Sequence, residues 1–148
     1  MEPIIDIIPA QTQNELERCF AVRRAVFCVE RGVSPAIERD GWDTLSPDCA
    51  HFLIQEGVAD IGALRCRYAD GAAIIQRFCV LKERRKSGVG RAALEAVEDW
   101  CRAAGIRRME LDAKFEVHGF YEKCGYAKIS APFEEAGIPL VKMAKELF

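Results

Sequence analysis

The run Val80-Leu81-Lys82-Glu83-Arg84-Arg85-Lys86-Ser87-Gly88-Val89-Gly90-Arg91 carries the strongest chemical signal in the chain. An apolar stretch ends, a short basic loop follows, and two glycines open an amphipathic segment. Amides at a helix start lack intrahelical acceptors and sit at the positive end of the helix dipole, so they bind anions. Glycine lets anionic oxygens approach the backbone with no Cβ in the way. Between residues 82 and 91, five basic side chains stand against one acidic. That is a cationic frame suited to a di- or triphosphate. Glycine in a helical turn weakens it by up to about 1 kcal/mol, so two in the first turn need a reason, and an anion supplies one. The chain has no G-x-x-x-x-G-K-[ST] run, which excludes a P-loop. Gly88 to Ala93 does read G-x-G-x-x-A, a dinucleotide fingerprint, with Glu110 and Asp112 about 20 residues on. Against it, six residues, Lys82 to Ser87, separate the glycines from their strand, and only 58 residues follow Gly90. That is too little for repeated βαβ units.

The elements that must hold this turn are legible in the pattern. Pro3 to Ile8 reads as a first strand. Thr12-Gln13-Asn14-Glu15 is a capping box, followed by a helical face of Leu16, Cys19, Phe20 and Phe27 that Arg23 and Arg24 interrupt. Gly32 to Asp48, with two Ser-Pro pairs, is loop with one short helical turn at most. His51–Gln55, Ile61–Tyr68 and Ala73–Leu81 form an antiparallel meander, with Asp70-Gly71 as a tight hairpin. Gly88 to Ala104 places Val89, Ala93, Val97, Trp100 and Ala104 on one helical stripe, with Trp100 expected in the core and Glu95, Glu98, Asp99 and Arg102 on the polar face, and Gly105 ends the helix. Arg108–Ala113 reads as a strand, Glu116–Lys123 as a short helix, and Tyr126–Ile129 and Ile138–Ala144 as further strands. The sum is an α+β domain, or α/β with a mixed sheet.

The 148 residues fit a single domain, 1–148. Half the residues are hydrophobic and 30% charged, with a net charge of −2, which argues against a general nucleic-acid binder. No apolar run is long enough to span a membrane, and the N-terminus does not read as a secretory signal. Seven cysteines with no C-x-x-C pair, and two histidines, argue against a metal site. The cysteines read as reduced, buried side chains of a cytoplasmic protein. If one is reactive, Cys79 or Cys124 is expected, because they flank the motifs.

A second run, Phe120-Tyr121-Glu122-Lys123-Cys124-Gly125-Tyr126, follows some 30 residues later. Arg85-x-x-Gly88-x-Gly90 resembles the R/Q-x-x-G-x-G/A pyrophosphate loop of the GNAT acetyltransferases, and the second run resembles their F-Y-x-x-x-G-F/Y signature. Arg24 to Arg31, Glu38-Arg39-Asp40, Asp43, His51, Gly137-Ile138-Pro139 and Met143 resemble the ElaA/YjcF-like subgroup. Arg31 and Leu140 depart from its Gln and His on the acceptor side, and Lys82 replaces a frequent Pro.

The resemblance implies a GNAT-like acyl-CoA N-acyltransferase fold, its central, mostly antiparallel sheet flanked by helices. It implies acetyl transfer from acetyl-coenzyme A, as co-substrate and without a metal, directly to a primary amine. Arg85, Lys86, Ser87, Gly88, Val89, Gly90 and Arg91 would hold the pyrophosphate, chiefly through backbone N–H groups. Phe78, Cys79 and Val80 would pair with the pantetheine arm, on a strand whose bulge splays it from residues 108–113. An N–H near Val80 would face the oxyanion. Tyr121 is the candidate acid for the departing thiolate, Phe120 packs beside it, and Lys123 reaches towards the 3′-phosphate. Glu38 is the preferred proton acceptor among Glu30, Glu38, Asp40, Asp43, His51, Glu110, Asp112 and His118. Four acids against two bases in residues 30–43 favour a small cationic amine as partner. No nucleic acid or membrane partner is expected, and a homodimer is left open. A non-catalytic acyl-coenzyme A sensor of the same fold is the alternative.

Overall fold

The computed structural model describes residues 4–148; Met1 to Pro3, including the first residue of the expected opening strand, lie outside them. The elements in chain order are β1 (Asp6–Pro9), α1 (Gln13–Arg23), α2 (Pro35–Glu38), β2 (Cys49–Glu56), β3 (Ala59–Ala69), β4 (Ala72–Val80), α3 (Val89–Ala103), β5 (Arg108–Lys114), α4 (His118–Lys123), β6 (Ala127–Lys128), β7 (Phe133–Glu135) and β8 (Ile138–Glu146). The predicted capping box forms at Thr12 and Glu15. α1 runs on without a break into a π-helical segment, Arg24–Glu30, a widened geometry often met at functional sites.

One eight-stranded sheet organises the chain in the order β1-β2-β3-β4-β5-β8-β6, with β7 also on β8. Every pairing is antiparallel except β4 with β5. The predicted hairpin joins β3 to β4 with Asp70 and Gly71 at φ 52° and 78°; two successive left-handed residues match the strand twist. α3 crosses from β4 to β5, and of its buried stripe Leu94, Val97 and Cys101 pack with Phe52, Met109, Val141 and Met143, while Val89 and Ala93 pack with Ile54 and Ile61.

Two expectations for α3 fail for a rotational reason. The stripe centres on Leu94, Val97 and Cys101, so Trp100 falls at its border. It is 43% exposed and packs edge-on against Phe52, 5.8 Å between ring centres. Glu98, expected on the polar face, is buried instead and accepts hydrogen bonds from Tyr126 Oη and Lys145 Nζ, each at 2.8 Å. β7 was not foreseen: three residues closing a hairpin at Ala136 and Gly137 carry no periodicity of their own.

The feature that shapes the site is the parting of β4 from β5. Their pairing ends at Ile75 with Leu111. On the other edge of β4, the register with β3 slips between Ala63 and Arg65, where Cys79 and then Gln76 are the partners. Arg77 and Phe78 thus oppose Leu64 alone, a β-bulge, and Arg77 takes φ 55°. Beyond the bulge β4 diverges from β5 and a wedge-shaped gap opens between them. The bulge and splay implied by the family resemblance are present.

Candidate active site

The turn from β4 to α3 sits at the open end of that gap. A 3-10 turn, Lys82–Arg84, leads to Lys86 at φ 62° and Gly88 at φ 85°. The first helical bond of α3 runs from Ala92 N–H to Gly88 O, 3.1 Å, and Gly88 has no side chain with which to cap the helix. Among the described residues, none of the amides of Lys86 to Arg91 donates to a protein acceptor. The unbonded donors therefore cluster at the positive end of a 15-residue helix, which is what anion binding requires. Gly90 is tightly enclosed: a Cβ there would meet Phe120 Cζ at 3.4 Å and Phe78 Cζ at 3.9 Å.

The Arg85 side chain turns away from this cluster. Its Nε donates to Val80 O at 2.9 Å, and its two terminal nitrogens grip Glu30 at 2.6 Å each. Arg85 thus ties the end of β4 to the π-helical segment, and its amide donates to Lys82 O at 3.4 Å, so neither its side chain nor its N–H is free for the pyrophosphate role expected of it. Lys86, Ser87 and Arg91 are exposed. Ser87 Oγ donates to Arg84 O at 2.8 Å, bracing the turn, and Arg91 Nε pairs with Glu95 at 3.1 Å.

Leu81 N–H donates to Ile61 O of β3 at 2.8 Å. Because strand groups alternate, Cys79 also faces β3, where Ala63 is its partner, while Phe78 and Val80 direct their backbone groups into the gap. Cys79 and Cys124 are both buried. Burial pushes the Cys79 thiol up to about 12 and raises Cys124 as well, so neither has the thiolate character of a reactive cysteine.

A cavity of about 520 Å³ fills the gap, bounded by β4 (Ile75 to Phe78), β5 (Leu111 to Lys114), Phe27 of the π-helical segment and Tyr121. Tyr121 meets Phe120 and Tyr126 edge-on, 5.1 and 5.9 Å between centres. Its hydroxyl has no protein partner among the described residues, and burial pushes the phenol up to about 12. At neutral pH it is a protonated donor facing a cavity. Phe120 is partly exposed and Lys123 lies on the outer face of α4.

Glu38 also lines the cavity. Its Oε2 accepts from Arg23 Nε at 2.7 Å, while Oε1 takes no bond from protein. The other candidate bases are less available. Asp43 accepts from Arg23 at 2.7 and 2.9 Å and from Arg65 at 2.9 Å. Those partners outweigh its desolvation and hold its carboxyl below the usual range. Asp40 is held down chiefly by its bonds from Arg65, at 2.7 and 2.8 Å. Glu30 is held down by Arg85. His51 is buried, with Nε2 3.0 Å from Trp42 O, and burial lowers its basicity. Asp112 lines the cavity beside Lys142; Glu110 pairs with Arg108, and His118 contacts Phe115 O.

Two cavity-side residues, Arg77 and Gln76, went unremarked in the sequence, whereas Phe27, read there as part of a helical face, also lines the cavity. The signal for the arginines was present: Arg65 and Arg77 lie inside apolar strand runs and Arg23 interrupts an apolar helical face. A buried guanidinium needs carboxylate partners, and these sit in the loop 38–43.

The acetyltransferase (GNAT) domain family matches residues 35–147. The chain is 36% identical over 138 residues to the uncharacterized N-acetyltransferase YjcF of Bacillus subtilis, covering 93% of this chain and 96% of that one. It is 36% identical over 136 residues to the uncharacterized Bacillus subtilis protein YyaT, covering 92% of each. Among solved structures, a candidate N-acetyltransferase from Lactobacillus plantarum superposes with a TM-score of 0.89 at 33% identity, over 97% of this chain and 99% of that one. Escherichia coli ElaA has the same fold, with a TM-score of 0.83 at 24% identity, over 97% of this chain and all of that one.

Proposed function

The chain belongs to the GNAT acetyltransferase family, and on that premise we propose that it transfers the acetyl group of acetyl-coenzyme A directly to a primary amine. Residues 1–148 act as one N-acetyltransferase domain of the cytoplasm, a compartment that suits seven unpaired cysteines. No helix among the described residues is long and apolar enough to cross a membrane.

The observation that carries this reading is the set of unbonded amides from Lys86 to Arg91 beside a strand gap that ends in a cavity. Those amides hold the diphosphate of the coenzyme, and Lys86 and Arg91 frame it with charge. Phe78 offers its backbone groups to the amides of the pantetheine arm, as a strand edge does to an added strand, while Val80 offers its N–H, its carbonyl being held by Arg85 Nε. Cys79 contributes packing, and Phe120 walls the arm against Gly90. Val80 N–H faces the carbonyl oxygen on which negative charge develops. Lys123, on the outer face of α4, is the cation for the 3′-phosphate.

Glu38 Oε1 takes a proton from the acceptor's ammonium group. The neutral nitrogen then bonds to the acetyl carbon as the carbon–sulfur bond breaks. Tyr121 gives its proton to the departing sulfur, which as a free thiol has an ordinary pKa near 8.5. The proton shed by the acylated nitrogen restores the phenol, and Glu38 releases the proton it took to solvent, so the charges balance.

The test is release of the coenzyme thiol across a panel of amines. Turnover is expected with at least one acceptor class, and Tyr121→Phe is expected to lower kcat by about 10- to 100-fold while coenzyme affinity stays within about threefold. Tight coenzyme binding with no turnover on any amine would refute catalysis and leave the sensor. An equal loss of kcat and affinity in Tyr121→Phe would reduce that residue to packing.

A further inference from the structure

The acids of residues 30–43 do not form a free anionic cluster for a cation. Glu30 is spent on Arg85, Asp40 on Arg65 and Asp43 on both Arg23 and Arg65, and Glu38 gives one of its two oxygens to Arg23. Each partner comes from a distant part of the chain, so the local acidic excess that favoured a cationic acceptor is neutralised on folding.

What faces the cavity from this network is a matched pair. Three guanidiniums, Arg23, Arg65 and Arg77, meet three carboxylates, Glu38, Asp40 and Asp43. Arg23 and Arg65 are 1% and 2% exposed and fully engaged, whereas Arg77 is 29% exposed and lines the cavity. Its Nε donates to the Glu38 carbonyl at 3.0 Å. Its carboxylate contacts are long, 3.4 Å to Asp40 and 3.6 Å to Glu38 Oε2, and Nη1 has no protein acceptor among the described residues. Burial, with Arg65 as the next cause, lowers the Arg77 guanidinium from its ordinary value, the direction expected of a cation short of negative charge. The backbone is committed to this placement: Arg77 holds φ 55°, a left-handed conformation that the Cβ of an L-residue disfavours. The bulge lets the consecutive residues Gln76, Arg77 and Phe78 all reach one cavity, where regular alternation would send Arg77 to the other face.

We infer that the acceptor is an amino-acid-type zwitterion, its carboxylate bound by the free edge of Arg77 and its amine set against Glu38 Oε1. A planar guanidinium edge matches a carboxylate in two parallel hydrogen bonds, and Glu38 lies directly beside it. This deepens the proposed acetyl transfer and rests on it. It gives the two polar groups of one small molecule separate anchors and leaves its side chain to the apolar wall of Val33, Ile37 and Leu140.

The test compares α-amino acids with their amides, alanine with alaninamide and leucine with leucinamide. The amide keeps the amine and the shape but loses the anion, and more of its less basic amine is neutral at neutral pH. Calorimetric binding to the coenzyme A-loaded protein tests the inference whether or not turnover follows, while thiol release tests acetyl transfer itself. The acids are expected to bind at least about tenfold tighter than the amides, with the preference carried in KM rather than kcat. In Arg77→Ala that ratio falls to about one, and in Arg77→Lys, which keeps a point charge and tests the site if the alanine variant does not fold, it is only partly lost. Equal binding of acids and amides by the wild-type protein overturns the inference, as does an Arg77→Ala variant that weakens both alike and leaves the ratio unchanged. Binding that discriminates without any turnover would uphold the subsite and refute the transfer reaction.

Discussion

The two ends of the strand gap are built in opposite ways. At one end, residues 86–91 present backbone donors along one short stretch of chain, set by two left-handed residues and a helix start. At the other, the acceptor wall gathers side chains from α1, the loop 38–43, β3 and β4, across more than fifty residues of sequence, into a buried network of charge. A backbone site depends on local conformation and tolerates changes of side chain. A side-chain network depends on every member, because removing one partner leaves an uncompensated charge in the interior. The turn should therefore fail in binding while the fold survives, and the wall should fail in folding first.

The largest effect is expected at the wall. Arg23 is buried and bonds both Glu38 and Asp43, so Arg23→Ala should cost about 3–5 kcal/mol of stability, measured by denaturant unfolding. A loss below about 1 kcal/mol would break the contrast between the two ends. Next comes the turn. Gly88→Asp places a side chain at φ 85° and a negative charge beside the amides. Coenzyme A affinity should fall at least about 100-fold by calorimetry, with the added charge and the backbone strain acting together; unchanged affinity would remove the phosphate assignment.

A smaller, pH-dependent effect separates the ends further. Asp43 and Asp40 are held below the ordinary carboxylate range by their arginines. Groups depressed in the folded state add stability above the unfolded pKa of about 3.9 and lose it as pH falls through the folded value. The melting temperature should drop steeply below about pH 4, and Asp43→Asn should flatten that acid limb. A wild-type curve flat to pH 2 would contradict the network. The smallest expected effect lies at Tyr121. With its phenol pushed up to about 12, it stays protonated through the working range. Wild type and Tyr121→Phe should then differ in rate but share one pH profile up to about pH 10. An alkaline limb lost only in the variant would mean that the phenol titrates lower.

The same contrast explains what the sequence disclosed. The turn was readable because backbone binding is encoded in neighbours: Gly88 and Gly90 supply conformation, and the basic loop supplies charge. The meander, the hairpin at Asp70-Gly71 and the ends of α3 were readable because periodicity and turn chemistry are local as well. Arg77 was not, since its importance comes from a bulge that only the pairing of β4 with β3 defines. The acids of residues 30–43 were misread as a free cluster because each partner arginine lies in another element. Trp100 and Glu98 exchanged their expected faces because a helical stripe fixes its centre better than its borders, and Tyr126 and Lys145, far off in sequence, compensate a buried carboxylate.

The central claim is that the amides of residues 86–91 bind the coenzyme's diphosphate. The most direct measurement follows the backbone amide resonances of the labelled protein as coenzyme A is added. The account predicts that Lys86 to Arg91 shift most, and that 3′-phosphoadenosine, which lacks the diphosphate, shifts them far less. Saturating coenzyme A that leaves those six resonances in place would contradict it.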